Sequence, residues 1–478
     1  MKICKLNWYG HPVLGDFSLN LTKTDGTPYD TVIFAGENGS GKTVILNSLF
    51  DYFNQHPIGN ISFGAKNNGV QLALEVVFDE NDIIIDKTEN RVFNAKITLN
   101  EIEGKVNTQF FNNGGSSVQV GNIPQSVARA IYSQIAINYN SGNITATTNS
   151  ELDKINNRSE KSSDNLATEI KQLFLDIHRD DSSELSQWVD ANQGIVVPQD
   201  VQHKRISRFR NAFKNVFKNK LIFKGVMGLN VLFEKNGVEV PIDQLSSGEK
   251  QIVFRGGFLL RNQGVIGGAT VLLDEPELSM HPKWQERILG FYQTLFTDES
   301  NTQTSQIFIA THSDHILKNA LENDNTLIIM LKDGSAPEYI HKNNRGMALK
   351  TTTLAEVKWR IFDLPTTDFH DQLWAELSYD DLTGDVKNVK NLDTELANII
   401  NGDSSKLKAW TGYQADSTQP SGRRTNRGND TKSLPTYIRN YTHHPEFTDI
   451  NNVTDNIAYT EDDLRNSIEF MISVVLQI

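Results

Sequence analysis

One octapeptide, GENGSGKT at residues 36–43, constrains the fold of this chain more than any other stretch. It fits the phosphate-loop pattern GxxxxGK[ST] at every defined position. An apolar, β-branched run at 31–35 precedes it, and a second apolar run at 44–50 follows it. This order predicts a buried strand, a glycine-rich loop and a helix from Val44, the arrangement in which N–H groups and a helix N-terminus bind a phosphate.

The residues of this loop have separate expected roles. Lys42 should reach the β- and γ-phosphates of a nucleotide, and Thr43 should hold Mg²⁺. The remaining contacts with the nucleotide should come from Asn38, Gly39, Ser40 and Gly41. A glycine-rich turn that matches the pattern by chance is the alternative, and three further motifs argue against it.

The first of these motifs is LSSGEKQ at residues 245–251, which opens an apolar helix. Two serines and a glycine at a helix start supply hydroxyl and N–H donors, so the segment suits an anion. Taken alone, the same residues would also serve as an ordinary helix cap.

Two further motifs place polar side chains at the ends of apolar strands. VLLDEPE at 271–277 ends in Asp274, which suits Mg²⁺ bound through water, and Glu275, which suits a general base for an attacking water. IFIATHS at 307–313 ends in His312, which could donate to a γ-phosphate. Each has a structural alternative, namely solvent-facing acids and a hydrogen-bonded core histidine.

These four motifs, in this order, resemble the ATP-binding-cassette superfamily of ATPases over residues 1 to about 345. The resemblance implies ATP and Mg²⁺ as cofactors, with Glu275, His312 and Lys42 as the catalytic residues. It also implies a head-to-tail dimer or higher oligomer, in which one protomer's signature motif completes the ATP site of another. The signature residues concerned are Ser246, Ser247, Gly248 and Glu249.

Departures from transporter cassettes narrow the resemblance. The segment LSMHP at 278–282 is similar to the non-transporter branch of SMC-like, OLD-like and AAA_21-like ATPases, which includes DNA-repair and phage-defence proteins. Two residues, Gln71 and Gln134, are candidates for the glutamine loop. Two others, Trp8 and Phe17, are candidates for stacking on adenine.

The predicted fold class is α/β, an ABC-ATPase fold with a mixed sheet core. We expect antiparallel strands over 71–100 and a helical insertion at about 150–225, which includes a basic helix over 205–222. That basic stretch is either a solvated helix face or a surface for nucleic acid or a partner. A mainly helical domain that contacts a partner or nucleic acid should follow over 346–478, with a loop at 413–433.

Two segments of this last region, 355–370 and 434–446, resemble the tail of PtuA-like ATPases of Septu anti-phage systems, including retron-linked ones. The resemblance implies regulation of a separate HNH-type nuclease, with DNA or RNA as a further partner. An alternative starts from Arg439 and His444, whose spacing fits the Rx4H pattern of HEPN ribonucleases. A structural polar cluster would explain the same two residues.

Composition limits the compartment and the class. The net charge of −13 does not indicate a chain that binds nucleic acid over its whole surface. A single cysteine, together with the lack of a signal-peptide segment and of a long apolar run, predicts a cytoplasmic protein without a membrane span. Because no long coiled coil is predicted, an SMC-like DNA-repair ATPase is less favoured than a defence ATPase.

Overall fold

The computed structural model describes most of the chain, which divides into two compact units, Met1–His341 and Lys342–Ile478. The described residues are 2–55, 71–77, 84–86, 91–100, 105–112, 117–118, 129–135, 142, 144, 152, 159–198, 205–218, 220–261, 268–297, 302–332, 335–341, 348–351, 353–379, 385–415, 424–443 and 458–476. Among these residues, no helix has both the length and the apolar composition that crossing a membrane requires.

A seven-stranded sheet forms the centre of the first unit. Its strands are β3 (Thr31–Ala35), β9 (Ala130–Ser133), β10 (Glu160–Lys161), β14 (Thr270–Asp274), β15 (Gln306–Thr311), β16 (Thr326–Met330) and β17 (Glu338–Ile340). Their order is β10-β9-β14-β15-β3-β16-β17, and all neighbours are parallel except β16 and β17. Strands β3, β14, β15 and β16 are buried along their whole length, which explains their unbroken apolar runs.

Antiparallel strands form three further sheets among the described residues of this unit, two of which lie in its first 118 residues. The first has the order β2-β1-β4, and the second has the order β5-β6-β7-β8. The strands are β1 (Lys2–His11), β2 (Gly15–Asn20), β4 (Gln71–Val77), β5 (Ile84–Asp86), β6 (Arg91–Asn100), β7 (Lys105–Asn112) and β8 (Ser117–Val118). The predicted antiparallel strands over 71–100 are therefore confirmed. The predicted α/β fold class is also confirmed.

The described part of the first unit contains six α-helices, together with a small antiparallel sheet of three strands. The helices are α1 (Lys42–Gln55), α2 (Leu166–Ala191), α3 (Ile206–Phe217), α4 (Ser247–Arg261), α5 (Pro282–Leu295) and α6 (Asp314–Leu321), and the strands are β11 (Leu221–Met227), β12 (Asn230–Lys235) and β13 (Val238–Pro241). A phenylalanine cluster packs α2 and α3 on this sheet, with ring centroids 5.0 to 6.5 Å apart. Its members are Phe174, Phe209, Phe213, Phe223 and Phe233.

The predicted end of the helical insertion at about residue 225 is wrong. Helix α3 ends at Phe217, where Lys218 adopts a left-handed conformation with φ 47°. In β11, the buried residues Leu221 and Phe223 alternate with the more exposed residues Ile222 and Lys224, so one side of the strand is buried. This spacing has a period of two residues, so packing against the phenylalanine cluster favours a strand where the basic run was expected to continue as a helix.

Within its described residues, the second unit contains five α-helices and one hairpin of two strands. They are α7 (Leu354–Phe362), α8 (Thr367–Ser378), α9 (Val389–Ile400), β18 (Leu407–Ala415), β19 (Arg424–Ser433), α10 (Leu434–His443) and α11 (Glu461–Leu476). Thr353, Thr366 and Asn388 each cap a helix by accepting a backbone N–H. Buried side chains such as Phe369, Leu396, Ile438 and Ile468 form the core.

The predicted loop at 413–433 is wrong over much of its length. Strands β18 and β19 pair in antiparallel fashion from Leu407↔Ser433 to Ala415↔Arg424. The polar composition of β19 hid this strand, because it lacks the apolar alternation by which a strand is identified from sequence. The last residue of β19, Ser433, is buried and joined to Asp393 of α9 by two hydrogen bonds.

Candidate nucleotide site

The phosphate loop connects the central strand β3 to α1, and its backbone requires glycine. Gly36, Gly39 and Gly41 have φ values of 151°, 88° and 90°, a range that side chains with a Cβ rarely adopt. A Cβ on Gly36 would lie 2.2 Å from the carbonyl oxygen of Leu331, at the end of the neighbouring β16. The loop therefore packs against the sheet edge, while Asn38 and Gly39 are exposed and Ser40 is half-buried.

Lys42 lies beneath this loop. Its Nζ donates to the carbonyl oxygens of Gly36, at 2.8 Å, and Glu37, at 2.7 Å. Burial lowers the pKa of Lys42, while the nearby carboxylates of Glu275 and Asp274 act in the opposite direction. A cation that is buried at the centre of a loop of N–H groups suits the phosphates of a nucleotide.

Asp274 ends β14 beside the start of α1. Its Oδ1 accepts the Thr43 hydroxyl at 3.1 Å, and its Oδ2 accepts the hydroxyl of the buried Tyr132 at 3.1 Å. Burial raises the pKa of Asp274, although these two hydrogen bonds oppose the shift. A hydroxyl and a carboxylate of this kind are oxygen ligands that Mg²⁺ accepts, so Thr43 and Asp274 fit the predicted ion.

Glu275 and His312 come from neighbouring strands and meet at the same edge. His312 Nδ1 lies 3.4 Å from Glu275 Oε1. Glu275 has a positive φ of 40°, and its N–H donates to the Ala310 carbonyl at 2.9 Å. Because β14 and β15 are parallel and adjacent, with Asp274 paired to Ala310, the residues that follow both strands emerge together.

The structure discriminates between the two glutamine-loop candidates. Gln134 directly follows β9, whose neighbour β14 carries Asp274 at its end. Gln71 instead begins β4 in an antiparallel sheet, where it pairs with Tyr9. Gln134 is therefore the candidate at the phosphate-binding edge.

The adenine-stacking candidates also differ. Trp8 is 1% exposed, its indole N–H donates to Ser48 Oγ at 2.9 Å, and its ring packs on Phe17. Stacking of a base on Trp8 is therefore wrong, because its ring faces are already covered by the core. Phe17 is half-buried and stays a prediction.

The signature segment starts α4 with a capping box. Glu249 Oε2 accepts both the N–H and the hydroxyl of Ser246, each at 2.8 Å. Glu249 Oε1 also pairs with Lys235 Nζ at 2.7 Å, and the side chain is 4% exposed. The Glu249 carboxylate is therefore turned inward, and the contact of this residue with a partner's nucleotide stays a prediction.

Of the remaining signature residues, Ser246 directs its N–H and its hydroxyl to Glu249, whereas the predicted role of Ser247 stays a prediction. Ser246 and Ser247 are exposed, whereas Gly248 is buried against the loop after β14. A Cβ on Gly248 would lie 2.7 Å from the Ser279 carbonyl oxygen, so glycine lets α4 approach this loop. Ser247 begins the helix and exposes its N-terminal end.

Sequence reasoning missed three buried residues that support the site. Tyr132 holds Asp274, and Arg255 of α4 donates to the carbonyl oxygens of Asp274, at 2.9 Å, and Gln134, at 2.7 Å. Glu277 accepts hydrogen bonds from the end of β15. Only Glu277 carried a sequence signal, as a third acid after an apolar strand.

The candidate residues of the second unit are less well placed for catalysis. Arg439 lies on α10 and donates to Asn440 Oδ1 at 3.2 Å. His444 lies outside the described residues, so the predicted pair with Arg439 stays a prediction. Its neighbour His443 contacts Asp371 Oδ2 through Nε2 at 3.1 Å.

Comparison with known proteins identifies one matching family model and several relatives. The model described as "AAA domain, putative AbiEii toxin, Type IV TA system" matches residues 32–318. "Retron Ec83 probable ATPase" of Escherichia coli is 29% identical over 115 residues, which cover 22% of this chain and 20% of that protein. "Retron Vc95 probable ATPase" of Vibrio cholerae serotype O1 biovar El Tor is 31% identical over 98 residues, which cover 19% and 18%. The chain thus matches about a fifth of the length of each of these relatives.

Among solved structures, an SMC head bound to the C-terminal winged-helix domain of ScpA is similar to this chain. The identity is 17% and the TM-score is 0.34, with 71% of this chain and 97% of that chain covered.

Proposed function

Because the chain belongs to the AbiEii-like AAA-domain family, we propose that it binds ATP with Mg²⁺ and hydrolyses it. The observation that carries this proposal is the contact between Glu275 and His312, 3.4 Å apart, at the sheet edge that also holds Lys42 and Asp274. A carboxylate for water activation, a histidine and a buried lysine then share one site, as nucleotide hydrolysis requires.

The roles follow from the chemistry of each side chain. Lys42 and the loop N–H groups hold the phosphates, and Glu275 takes a proton from the attacking water. His312 orients Glu275 and donates to the terminal phosphate. Mg²⁺, held by Thr43 and Asp274, would neutralise phosphate charge.

The ATP site is proposed to be shared between two protomers. Exposed Ser247 at the start of α4 offers a hydroxyl and a backbone N–H to an anion on a second chain. Each phosphate loop would then be completed by the signature residues of its partner. ATP-dependent dimerisation, measured by the mass of the protein with and without nucleotide, tests this proposal.

The experiment for hydrolysis is Glu275→Gln, which keeps side-chain size and removes the base. Turnover should fall on the order of 100-fold or more, while ATP affinity changes little. Glu286→Gln is a matched control, since Glu286 is an exposed acid on α5 outside the site. Wild-type turnover by Glu275→Gln would refute the catalytic assignment.

We further propose that the protein is the ATPase subunit of an anti-phage defence complex that regulates an HNH-type nuclease. The relation to retron ATPases supports a defence role, and the resemblance of 355–370 and 434–446 to PtuA-like tails supports the nuclease partner. Co-expression with the neighbouring genes, followed by affinity purification, tests it. Isolation of a stable complex without any nuclease would count against the regulatory role.

The basic face of α3 is the proposed contact with DNA or RNA. Residues 204–224 carry eight lysine and arginine residues and no acid, in a chain of net charge −13. Lys214 on α3 and Lys218 directly after its last residue are exposed, whereas Arg205 is paired with Asp181. Exposed cations at the end of a helix suit a phosphate backbone.

This contact predicts a salt dependence that can be measured. Alanine at both Lys214 and Lys218 should lower the slope of log affinity against log salt by about two, because each phosphate contact contributes about 0.9. Alanine at Lys283 and Lys318, which are also exposed, is the control with the same charge change. Equal slopes for the two double variants would exclude α3 as the nucleic-acid surface.

A further inference from the structure

Glu277 is a buried carboxylate that the proposed catalytic steps do not use. It lies three residues after Asp274 and is 4% exposed. Its Oε1 accepts the hydroxyl of Thr311 and the backbone N–H of His312, the latter at 3.3 Å. Among the described residues, no hydrogen-bond partner reaches its Oε2.

These contacts join the segment after β14 to the end of β15. The Thr311 hydroxyl donates to Glu277 and accepts the Ser313 N–H at 2.9 Å. The backbone is thus held immediately before and after His312. Because a fixed backbone limits the positions that a side chain can take, these hydrogen bonds restrict the direction of the His312 imidazole. In this direction, His312 Nδ1 lies 3.4 Å from Glu275 Oε1.

We propose that Glu277 is a positioning residue that holds His312 against Glu275. This inference rests on the proposed hydrolysis of ATP, in which Glu275 and His312 act together. Glu277 itself would touch neither water nor phosphate. Its effect would pass through the backbone at Thr311 and His312.

The geometry distinguishes this role from simple filling of the core. A residue that only fills space would tolerate any side chain of equal size, whereas a positioning residue must keep an acceptor at Oε1. Burial raises the pKa of Glu277, but Oε1 can accept both hydrogen bonds whether the carboxyl is charged or neutral. An amide oxygen at the same place should therefore serve equally well.

The experiment compares Glu277→Gln, which keeps the acceptor, with Glu277→Met, which has similar volume and lacks it. Glu277→Gln should hydrolyse ATP within about twofold of wild type, whereas Glu277→Met should lose on the order of 10- to 100-fold in kcat, as expected for a displaced catalytic group. The KM for ATP should change little in either variant. Equal kcat values for the two variants would overturn the inference.

A double-variant cycle tests whether the effect passes through His312. In a His312→Ala background, Glu277→Met should cause no further loss of kcat, because its only proposed target is gone. A full additional loss would show that Glu277 acts elsewhere. Glu275→Gln distinguishes failure of the positioning role of Glu277 from failure of the proposed function. Normal ATP turnover in Glu275→Gln would refute the proposed function itself.

A second readout needs no turnover. The Cε1–H resonance of His312 in the nucleotide-free protein, assigned by its absence in His312→Ala, reports the surroundings of the imidazole. We expect it to move in Glu277→Met and to keep its wild-type position in Glu277→Gln. An unmoved resonance in a folded Glu277→Met protein would also overturn the inference.

Discussion

Substitution of two phosphate-loop glycines by alanine should have unequal costs, for a reason that can be worked from the structure. Gly36 and Gly39 both have positive φ, at 151° and 88°, so each alanine pays a backbone penalty of about 1–2 kcal/mol. The two positions differ in the space around them. A Cβ on Gly39 would meet nothing within 4 Å, whereas a Cβ on Gly36 would lie 2.2 Å from the Leu331 carbonyl oxygen.

The contact at Gly36 cannot be relieved by turning a flexible side chain. Ordinary contact begins near 3.4 Å, so either the loop or the end of β16 must move by about an ångström. Overpacking of this kind costs about 1–3 kcal/mol beyond the backbone penalty. Because Lys42 Nζ donates to the Gly36 carbonyl, displacement of this residue should also weaken ATP binding.

The assay is urea-induced unfolding of the two variants and of wild type, all free of nucleotide, with ATP affinity measured separately. Gly36→Ala should lower the free energy of unfolding by about 1–3 kcal/mol more than Gly39→Ala does. The two variants carry the same chemical change in the same loop, so Gly39→Ala is the internal control. Equal losses would refute the argument that the sheet edge, and not φ alone, requires glycine at residue 36.

Three further predictions concern residues that the structure buries. Glu249→Ala should lower the free energy of unfolding by about 1–2 kcal/mol in urea titrations, because it removes the capping box at Ser246. An unchanged free energy of unfolding would contradict this capping role. Burial lowers the pKa of His370 below 6.5 in the folded chain, so the unfolded chain binds a proton there more readily than the folded chain does. The free energy of unfolding should therefore fall as the pH drops below about 6.5. His370→Asn should flatten this part of the curve of unfolding free energy against pH, and an identical slope in the variant would assign the effect to another group. In a steady-state assay, Arg255→Met should reduce ATP turnover more than Gln251→Met on the same helix. The reason is that Arg255→Met removes the hydrogen bonds to the carbonyl oxygens of Asp274 and Gln134. Equal turnover in the two variants would contradict a supporting role for Arg255.

The strand, loop and helix at the phosphate loop could be predicted because their signals are local. Glycines with positive φ, an apolar run before them and an apolar run after them all lie within residues 31–50. The same holds for Asp274 and Glu275, which end a short buried strand. Parallel neighbours then bring these strand ends to one edge, a property of α/β sheets that does not depend on side-chain detail.

The prediction was wrong where packing decided the outcome. The basic helix was predicted to continue to residue 222, but burial of Leu221 and Phe223 on one side makes this segment part of β11. The polar run of β19 gave no apolar alternation. In both segments, pairing and packing in the folded chain outweighed the local propensity.

The sequence by itself determined the four motifs, their order and the α/β class, because each depends on residues close together in the chain. Only the tertiary structure decided where these residues lie relative to the phosphate loop. Gln134 lies at the phosphate edge while Gln71 does not, the Glu249 carboxylate is turned into a helix cap, and Trp8 is enclosed in the core. Glu277 accepts a hydrogen bond from Thr311, 34 residues further along the chain. Burial and pairing over such separations are properties of the folded chain, so the direction of a side chain cannot be read from its neighbours in sequence.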